Sequence, residues 1–446
     1  MKRIERVVVL GANGAMGAGS GETFAAAGIH TTFLARDRDR AERGRARALS
    51  MAKSAAISRY IHTGGYEELP AAVAEADLVL EAVGEELPLK RQFFDLVERH
   101  RREDSIIASV SSGLSMAAMA AGRSESFRRH FLGIHLFNPP NVIVGTEVVP
   151  QRDTDPTLTA FVVEFLERRL GRKVIETSDT PAFAGNRVGF KVLNEVAQLA
   201  AEHGVLYLDT LLGPHTGRAM APLATIDFVG WDIHRAIVDN LHAHTSDEAH
   251  AAFALPGYMA RLSEAGHLGN KTPDRGGFFR QMPAPMGKNT AKDTAKKGSG
   301  QELWVLDPAR GEYRPATEFT TEPPAIVQRM RALHRVGRYR EALGLLLTAE
   351  GHDADLMRRV VLGYVSYGLS RVGEVVRAVR DVDRIMGFGF NWAPPGLLVD
   401  LCGARPVIEA LERLKLPVPQ CLVEHAERGQ RLFTEPFVDA GRFFHG

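Results

Sequence analysis

The sequence predicts an α/β domain built on a mostly parallel sheet, followed by an all-α C-terminal region of two repeated helical units. Three observations carry that expectation. Through the first 180 residues short apolar runs alternate with longer amphipathic stretches. After Asp179-Thr-Pro181 the strand patterns vanish and long apolar-periodic stretches replace them. A glycine cluster, Gly11-Ala-Asn-Gly14-Ala-Met16-Gly17, stands directly behind the first apolar run.

The elements follow in order. Val7-Val8-Val9-Leu10 reads as a first buried strand, Glu22 to Ala27 as part of a helix, and Thr31 to Ala35 as a second strand. Asp77 to Val83 and Ser105 to Ser109 are further strands, with a helix from Leu89 to His100 between them. Phe131 to His135 and Thr146 to Val149 are too closely linked for a helical crossover and predict an antiparallel pair. A helix from Thr157 to Leu170 and a strand at Lys173 to Glu176 close the domain. Beyond it, Phe190 to His203 and Leu356 to Arg377 read as helices, and Lys288 to Gly300 as a solvated loop. Pro222-x4-Asp227-x2-Gly230 and Pro395-x4-Asp400-x2-Gly403 hint at an internal duplication. The expected division is 1–178, 179–310 and 311–446.

Composition narrows the function. Lys and Arg total 55 against 54 Asp and Glu, so no charge excess draws the chain to nucleic acid or to an anionic membrane. No segment approaches the roughly 20 apolar residues of a membrane span, and the first residues are too briefly apolar for a signal peptide. The two cysteines, Cys402 and Cys421, make neither a disulfide framework nor a cysteine metal site. A cytoplasmic protein is expected.

Glycines between a first strand and a helix allow a tight turn and close approach of a pyrophosphate to the helix N-terminus. Gly11, Gly14, Met16 and Gly17 are therefore expected at a dinucleotide, in a Rossmann domain, although the GxxGxxG spacing is one residue longer than usual. The second strand ends Phe33-Leu34-Ala35-Arg36-Asp37-Arg38, with Ala35 where an acid normally binds the adenosine ribose. Arg36 beside that ribose favours a 2′-phosphate. NAD is expected as cofactor, with NADP an open alternative unless Asp37 substitutes for the missing acid.

More specific are five ordered motifs. They are Glu81-Ala-Val-Gly-Glu85-Glu-Leu-Pro-Leu-Lys90, Ser109-Val-Ser-Ser112-Gly-Leu114, Gly133-Ile-His135-Leu-Phe-Asn138-Pro139-Pro140, Glu147, and Asp179-Thr-Pro-Ala-Phe-Ala-Gly-Asn186-Arg187. Together they resemble the 3-hydroxyacyl-CoA dehydrogenases, through the whole chain. The resemblance is closest to the branch whose dehydrogenase part precedes an enoyl-CoA hydratase part, which these 446 residues do not include. It implies reversible oxidation of a 3-hydroxyacyl-CoA to the 3-oxoacyl-CoA, as in fatty-acid β-oxidation. His135 falls on the family's base, and histidine titrates where that task needs it. Glu147 falls on the acid that holds the imidazole tautomer and stabilises the imidazolium. Ser112 and Asn186 fall on residues holding the substrate's 3-oxygen and carbonyl region near the nicotinamide. Asn138 matches a position facing the carboxamide, and Glu85 and Lys90 match cofactor contacts. Three positions depart from the family: Val110 for an asparagine, Leu136-Phe137 for paired aromatics, and Ala35 for the ribose acid. Family members with one helical unit dimerise through it. A second unit within the chain would cover that surface, so a monomer is expected in preference to a homodimer.

Other chemistries fit less well. No tyrosine is followed four residues later by lysine, which removes the short-chain dehydrogenases, and no GxxxxGK[ST] is present. His242, His244, His250, Asp247 and Glu248 do not share a helical face, so no metal is expected. Lys288, Lys292, Lys296 and Lys297 read as a mobile charged loop rather than CoA contacts. Two rivals stay open: a dehydrogenase for another hydroxy acid or a carrier-bound acyl chain, and a non-catalytic homologue that kept the fold.

Overall fold

A computed structural model describes residues 3–283, 301–319, 322–436 and 438–444. The lysine-rich stretch with Lys288, Lys292, Lys296 and Lys297 lies outside the described residues.

Eight strands form the main sheet: β1 (Arg6–Leu10), β2 (His30–Ala35), β3 (Ile61–Gly65), β4 (Leu78–Glu81), β5 (Ile106–Ser109), β6 (Phe131–Leu136), β7 (Gly145–Pro150) and β8 (Lys173–Glu176). Their order is β3-β2-β1-β4-β5-β6-β7-β8. Pairings from β3 through β6 are parallel, β6 and β7 run antiparallel, and β7 and β8 are parallel again. The apolar runs explain this arrangement. Parallel strands are covered on both faces, and every residue of β4 and β5 is buried. Val7 and Val9 enter the core on one face while Val8 and Leu10 enter the core on the other. The order reverses between β1 and β4, and in such sheets ligands bind beyond the carboxyl ends of the strands at that point.

By its contacts the chain divides into two compact units rather than three. One comprises 1–186 with 371–390, and the other 187–370 with 391–446. The expected boundary at 178 therefore shifts to 186, and 310 does not separate compact units. The long helix expected from Leu356 to Arg377 is His352–Ser370. It stops before a turn in which Gly373 takes φ 89°. The segment after it returns to the sheet. Ser178 donates its N–H and Thr177 its hydroxyl to the Val375 carbonyl, at 2.8 and 3.1 Å. Arg384 donates to the carbonyl of Val174 on the edge strand at 2.9 Å.

The second unit is mainly helical, as expected, with one addition. A three-stranded antiparallel sheet joins β9 (Phe279–Pro283), β10 (Gln301–Asp307) and β11 (Glu312–Pro315). The two Pro-x4-Asp-x2-Gly segments share their local structure. Pro222–Val229 and Pro395–Cys402 are eight-residue helices opening on proline. Each ends at a glycine that also caps the next helix, Gly230 at φ 99° and Gly403 at φ 92°. Asp227 accepts the N–H groups of Phe278 and Phe279, and Asp400 those of Leu432 and Phe433. In both places one carboxylate ties the helix to a later stretch of chain.

Candidate active site

The residues singled out in the first unit gather at the carboxyl ends of β1, β4, β5 and β6. Gly11 follows β1 at φ 77°, and a Cβ there would come within 2.5 Å of the Ala82 carbonyl oxygen. A Cβ on Gly17 would meet the Gly11 carbonyl at 2.4 Å, so the helix Ala15–Ala26 can start this close to β1 only with glycine there. Gly14 is the helix N-cap and supplies no side chain to the first-turn amides, with only the Gly11 carbonyl near its Cβ position. Open amides at the N-terminus of a twelve-residue helix fit a pyrophosphate. Met16 packs partly against the core instead of facing out.

The ribose end is resolved in detail. Ala35 ends β2, and Arg36 is exposed and pairs with no carboxylate among the described residues. Asp37 is the N-cap of the helix Arg38–Ala52 and accepts the Arg40 N–H at 2.8 Å. Its carboxylate thus also serves as a helix cap. Arg38 pairs with Glu68 at 2.7 Å. On the neighbouring strand the Glu67 carboxylate fills the space a Cβ on Gly65 would take, and Gly65 is the register partner of Ala35.

The antiparallel register sets His135 opposite Glu147. Their Nδ1 and Oε2 atoms are 2.5 Å apart, with 3% and 0% of the two residues exposed. The second carboxylate oxygen accepts the N–H groups of Ala184 and Gly185, each at 2.9 Å. Those amides converge because Ala182 and Phe183 both take positive φ, 58° and 55°. Left-handed backbone at two non-glycine residues stores strain that the surroundings must hold. Glu147 is thereby fixed at both oxygens, a role for the Ala-Phe-Ala-Gly stretch that sequence reasoning missed.

With the Nδ1 proton directed at Glu147, Nε2 of His135 is left as an acceptor. Ser112 Oγ lies 3.1 Å from it. Phe137 and Phe183 wall the imidazole, with ring centroids at 4.8 and 5.5 Å. Asn186 is buried at the start of the helix Gly185–His203, one residue after an amide held by Glu147. Asn138 is exposed on the turn after β6. That turn leans on the first helix, since a Cβ on Gly19 would meet Pro140 at 2.9 Å.

Two expected cofactor contacts, Lys90 and Glu85, belong to one charge cluster. Lys90 is wholly buried, its Nζ 2.7 Å from Glu81 Oε1 and 3.3 Å from Glu85 Oε2. Glu85 Oε1 accepts from Ser111 Oγ at 2.5 Å and from the N–H groups of Ser112 and Gly113 at 3.0 and 3.1 Å. Burial would raise the Glu85 carboxyl, but Lys90 and these donors hold it below the ordinary carboxylate range. Glu81, raised by burial, accepts from Lys90, from Val83 N–H and, through Oε2, from Ser109 Oγ.

The histidines weighed as metal ligands bond to nearby backbone, His244 to the Asn240 carbonyl and His250 to that of Thr245. His242 and His250 stack at 4.3 Å. Asp247 accepts from Arg187 and Tyr367, both at 2.8 Å. No cluster of three potential metal ligands forms among the described residues.

A doubly wound sheet with a glycine turn at its switch point and a carboxylate-braced imidazole nearby is the architecture of a nicotinamide-dependent oxidoreductase. The comparisons are more specific. The model of the 3-hydroxyacyl-CoA dehydrogenase NAD binding domain matches residues 6–180, and that of the C-terminal domain matches 183–279. A probable 3-hydroxyacyl-CoA dehydrogenase of Deinococcus radiodurans is 33% identical, over 63% of this chain and 83% of that protein. Another, from Bacillus subtilis, is 29% identical over 85% of this chain, which spans about half (46%) of that relative's length. The crystal structure of 3-hydroxybutyryl-CoA dehydrogenase from Escherichia coli shares the fold over 96% of this chain and 99% of that one, with a TM-score of 0.66 at 19% identity. The chain belongs to the 3-hydroxyacyl-CoA dehydrogenase family, and its first 180 residues contain that family's NAD-binding domain. No helix among the described residues is long and apolar enough to cross a membrane.

Proposed function

We propose that the protein oxidises a 3-hydroxyacyl-CoA reversibly to the 3-oxoacyl-CoA, with His135 as the base. The observation that supports this most strongly is the line Glu147–His135–Ser112, a buried acid on one imidazole nitrogen and a hydroxyl on the other. When bound, the nicotinamide supplies the hydride acceptor for the substrate's C3–H bond. The hydroxyl proton passes to Nε2 of His135 as the C3–O bond becomes a carbonyl. Glu147 keeps the Nδ1 proton in place and stabilises the resulting imidazolium. Ser112 and Asn186 offer an O–H and an amide to the oxygens that gain charge in the reverse direction. Gly11, Gly14 and Gly17 seat the pyrophosphate, and Asn138 borders the nicotinamide. Reduction of acetoacetyl-CoA with NADH tests the reading. The wild type should turn over, and a chain that binds dinucleotide without turnover would support the non-catalytic rival.

A second cofactor reading rests on Arg36. Its guanidinium is unpaired, Asp37 is used as a helix cap, and no acid ends β2. Those features suit a 2′-phosphate, so NADP(H) is accepted as well as NAD(H). The nearby Glu67 carboxylate argues for NAD. Arg36→Asp separates the two: it should raise KM for NADPH about tenfold or more while sparing NADH. Equal KM values in both proteins would remove Arg36 from the subsite.

The proposal also takes the protein as cytoplasmic and monomeric, with the paired Pro-x4-Asp-x2-Gly helices as two duplicated units. Two free cysteines and a near-neutral charge support the compartment. A sedimentation mass of twice 48.8 kDa at micromolar concentration would refute the monomer.

A further inference from the structure

We propose that Arg172 is a positioning residue for the nicotinamide half of the cofactor. Its guanidinium ties the turn between β6 and β7, which carries Asn138, to the helix Ala15–Ala26, whose N-terminus faces the pyrophosphate. The inference rests on the reading of Asn138 as a neighbour of the nicotinamide, and it gives a task to a buried charge that the motifs leave unassigned.

The turn needs outside support. Pro139 and Pro140 have no N–H to donate. Within the turn the Val142 and Ile143 N–H groups both bond to the Pro139 carbonyl at 3.0 Å, which leaves the Pro140 and Ile143 carbonyls to find donors elsewhere. Arg172 supplies both. One terminal nitrogen donates to the Ile143 carbonyl at 2.8 Å and the other to the Pro140 carbonyl at 2.7 Å. Two donors in one rigid plane fix those carbonyls relative to each other, which a compact ammonium does not do. The same guanidinium reaches the first helix. Its nitrogen at Pro140 lies 3.4 Å from Thr23 Oγ1, and its charge acts on Glu22, which is 5% exposed on that helix. Arg172 is itself 4% exposed, and burial lowers it to about 10, so it stays a cation at neutral pH. Its backbone is anchored as well. The Arg172 N–H bonds to the Leu166 carbonyl at 3.0 Å, at the end of the helix Pro156–Leu170, and the next residue opens β8. Farther along the turn Asn141 donates its side-chain amide to the Met51 carbonyl at 3.3 Å. Asn138, by contrast, is exposed and makes no side-chain hydrogen bond among the described residues. The pinned backbone of the turn therefore decides where its amide stands.

The two halves of the dinucleotide provide the test, because ADP-ribose keeps the adenosine and pyrophosphate and lacks the nicotinamide. Arg172→Lys keeps the buried charge and loses the fork. It should weaken the Kd for NADH, read by fluorescence, about tenfold and leave that for ADP-ribose, read by calorimetry, within about twofold. Gly19→Ala, whose new Cβ would meet Pro140 at 2.9 Å, displaces the turn from the helix side without touching the charge. It should give the same split, and it stands in by the same criteria should the lysine variant not fold. In an Asn138→Ala background Arg172→Lys should cost almost nothing further, because the group it positions is gone. Equal weakening of NADH and ADP-ribose, no weakening of either in the folded variant, or an undiminished further loss beside Asn138→Ala overturns the proposal. Asn138→Ala with an unchanged Kd for NADH overturns the Asn138 reading and the proposal together, whereas a weakened Asn138→Ala beside an unaltered Arg172→Lys overturns the proposal alone.

Discussion

Two buried histidines, one in each unit, have opposite chemistry. His135 is 3% exposed and His234 is 0% exposed, so burial hardly distinguishes them. Their partners do. His135 has a carboxylate on Nδ1 and a hydroxyl at Nε2. His234 faces the Asn194 side-chain oxygen through Nε2 at 3.0 Å, has no partner for Nδ1 among the described residues, and packs against Phe190. Burial pushes His234 down to about 3, which keeps it neutral throughout the physiological range. An imidazole becomes a usable base when an acid stands ready to share its charge, and taking it out of water does not achieve that.

The contrast can be broken most forcefully at His135. His135→Ala should cost about 10²–10⁴ in kcat with little change in melting temperature. Retained turnover would make the two histidines equivalent after all. Glu147→Gln keeps the imidazole but removes its counter-charge, and should cost on the order of 10² in kcat. It should also loosen the start of the helix Gly185–His203, visible as faster exchange of the Ala184 and Gly185 amides. An unaltered kcat would show that the acid serves only structure.

The other arm of the contrast concerns stability. The folded values of His234 and His215, both about 3 through burial, lie below the 6.5 of the unfolded chain. Unfolded chains therefore bind more protons below pH 6.5, and stability falls as pH drops from 6.5 toward 3. Asp209 and Asp227 are raised by burial to about 7 and about 6 from 3.8, so they oppose this by losing stability as pH rises through the same window. A single substitution isolates one contribution. His234→Gln should flatten the decline in unfolding free energy between pH 6.5 and 4.5 by up to ~2.7 kcal/mol. An unchanged slope would mean that His234 is protonated in the fold. The smallest effect is expected at Asp400→Asn, whose carboxylate is partly exposed. It should destabilise less than Asp227→Asn, which removes one of the two buried oxygens that accept from the Phe278 and Phe279 amides and the Trp231 indole.

Much of the site was legible before any coordinates. Apolar runs placed β1, β2, β4, β5 and β8, and the short link between the two following runs gave the antiparallel pair that aligns His135 with Glu147. What escaped had no periodic signal. β3 is Ile-His-Thr-Gly-Gly, with a single large apolar residue. The strands of the small sheet carry arginine, glutamine and glutamate, with no clean apolar alternation to mark them. Charged residues are hard to place for a related reason. Nothing local in the stretch Glu81 to Lys90 shows that the lysine is buried between two acids. Nothing local shows that Asp37, the acid next after Ala35, also caps a helix.

The nucleotide-binding unit is interrupted, and its last piece, 371–390, is made only after all of 187–370. At ribosomal speeds of about 5–20 residues per second, that gap lasts roughly ten to forty seconds. Throughout it the outermost strand lacks the arginine that later covers its Val174 carbonyl, and a bare strand edge invites pairing with another nascent chain. Expression of the first 186 residues alone would freeze the protein at its most adhesive moment, so a soluble minimal version should carry the returning helix with it.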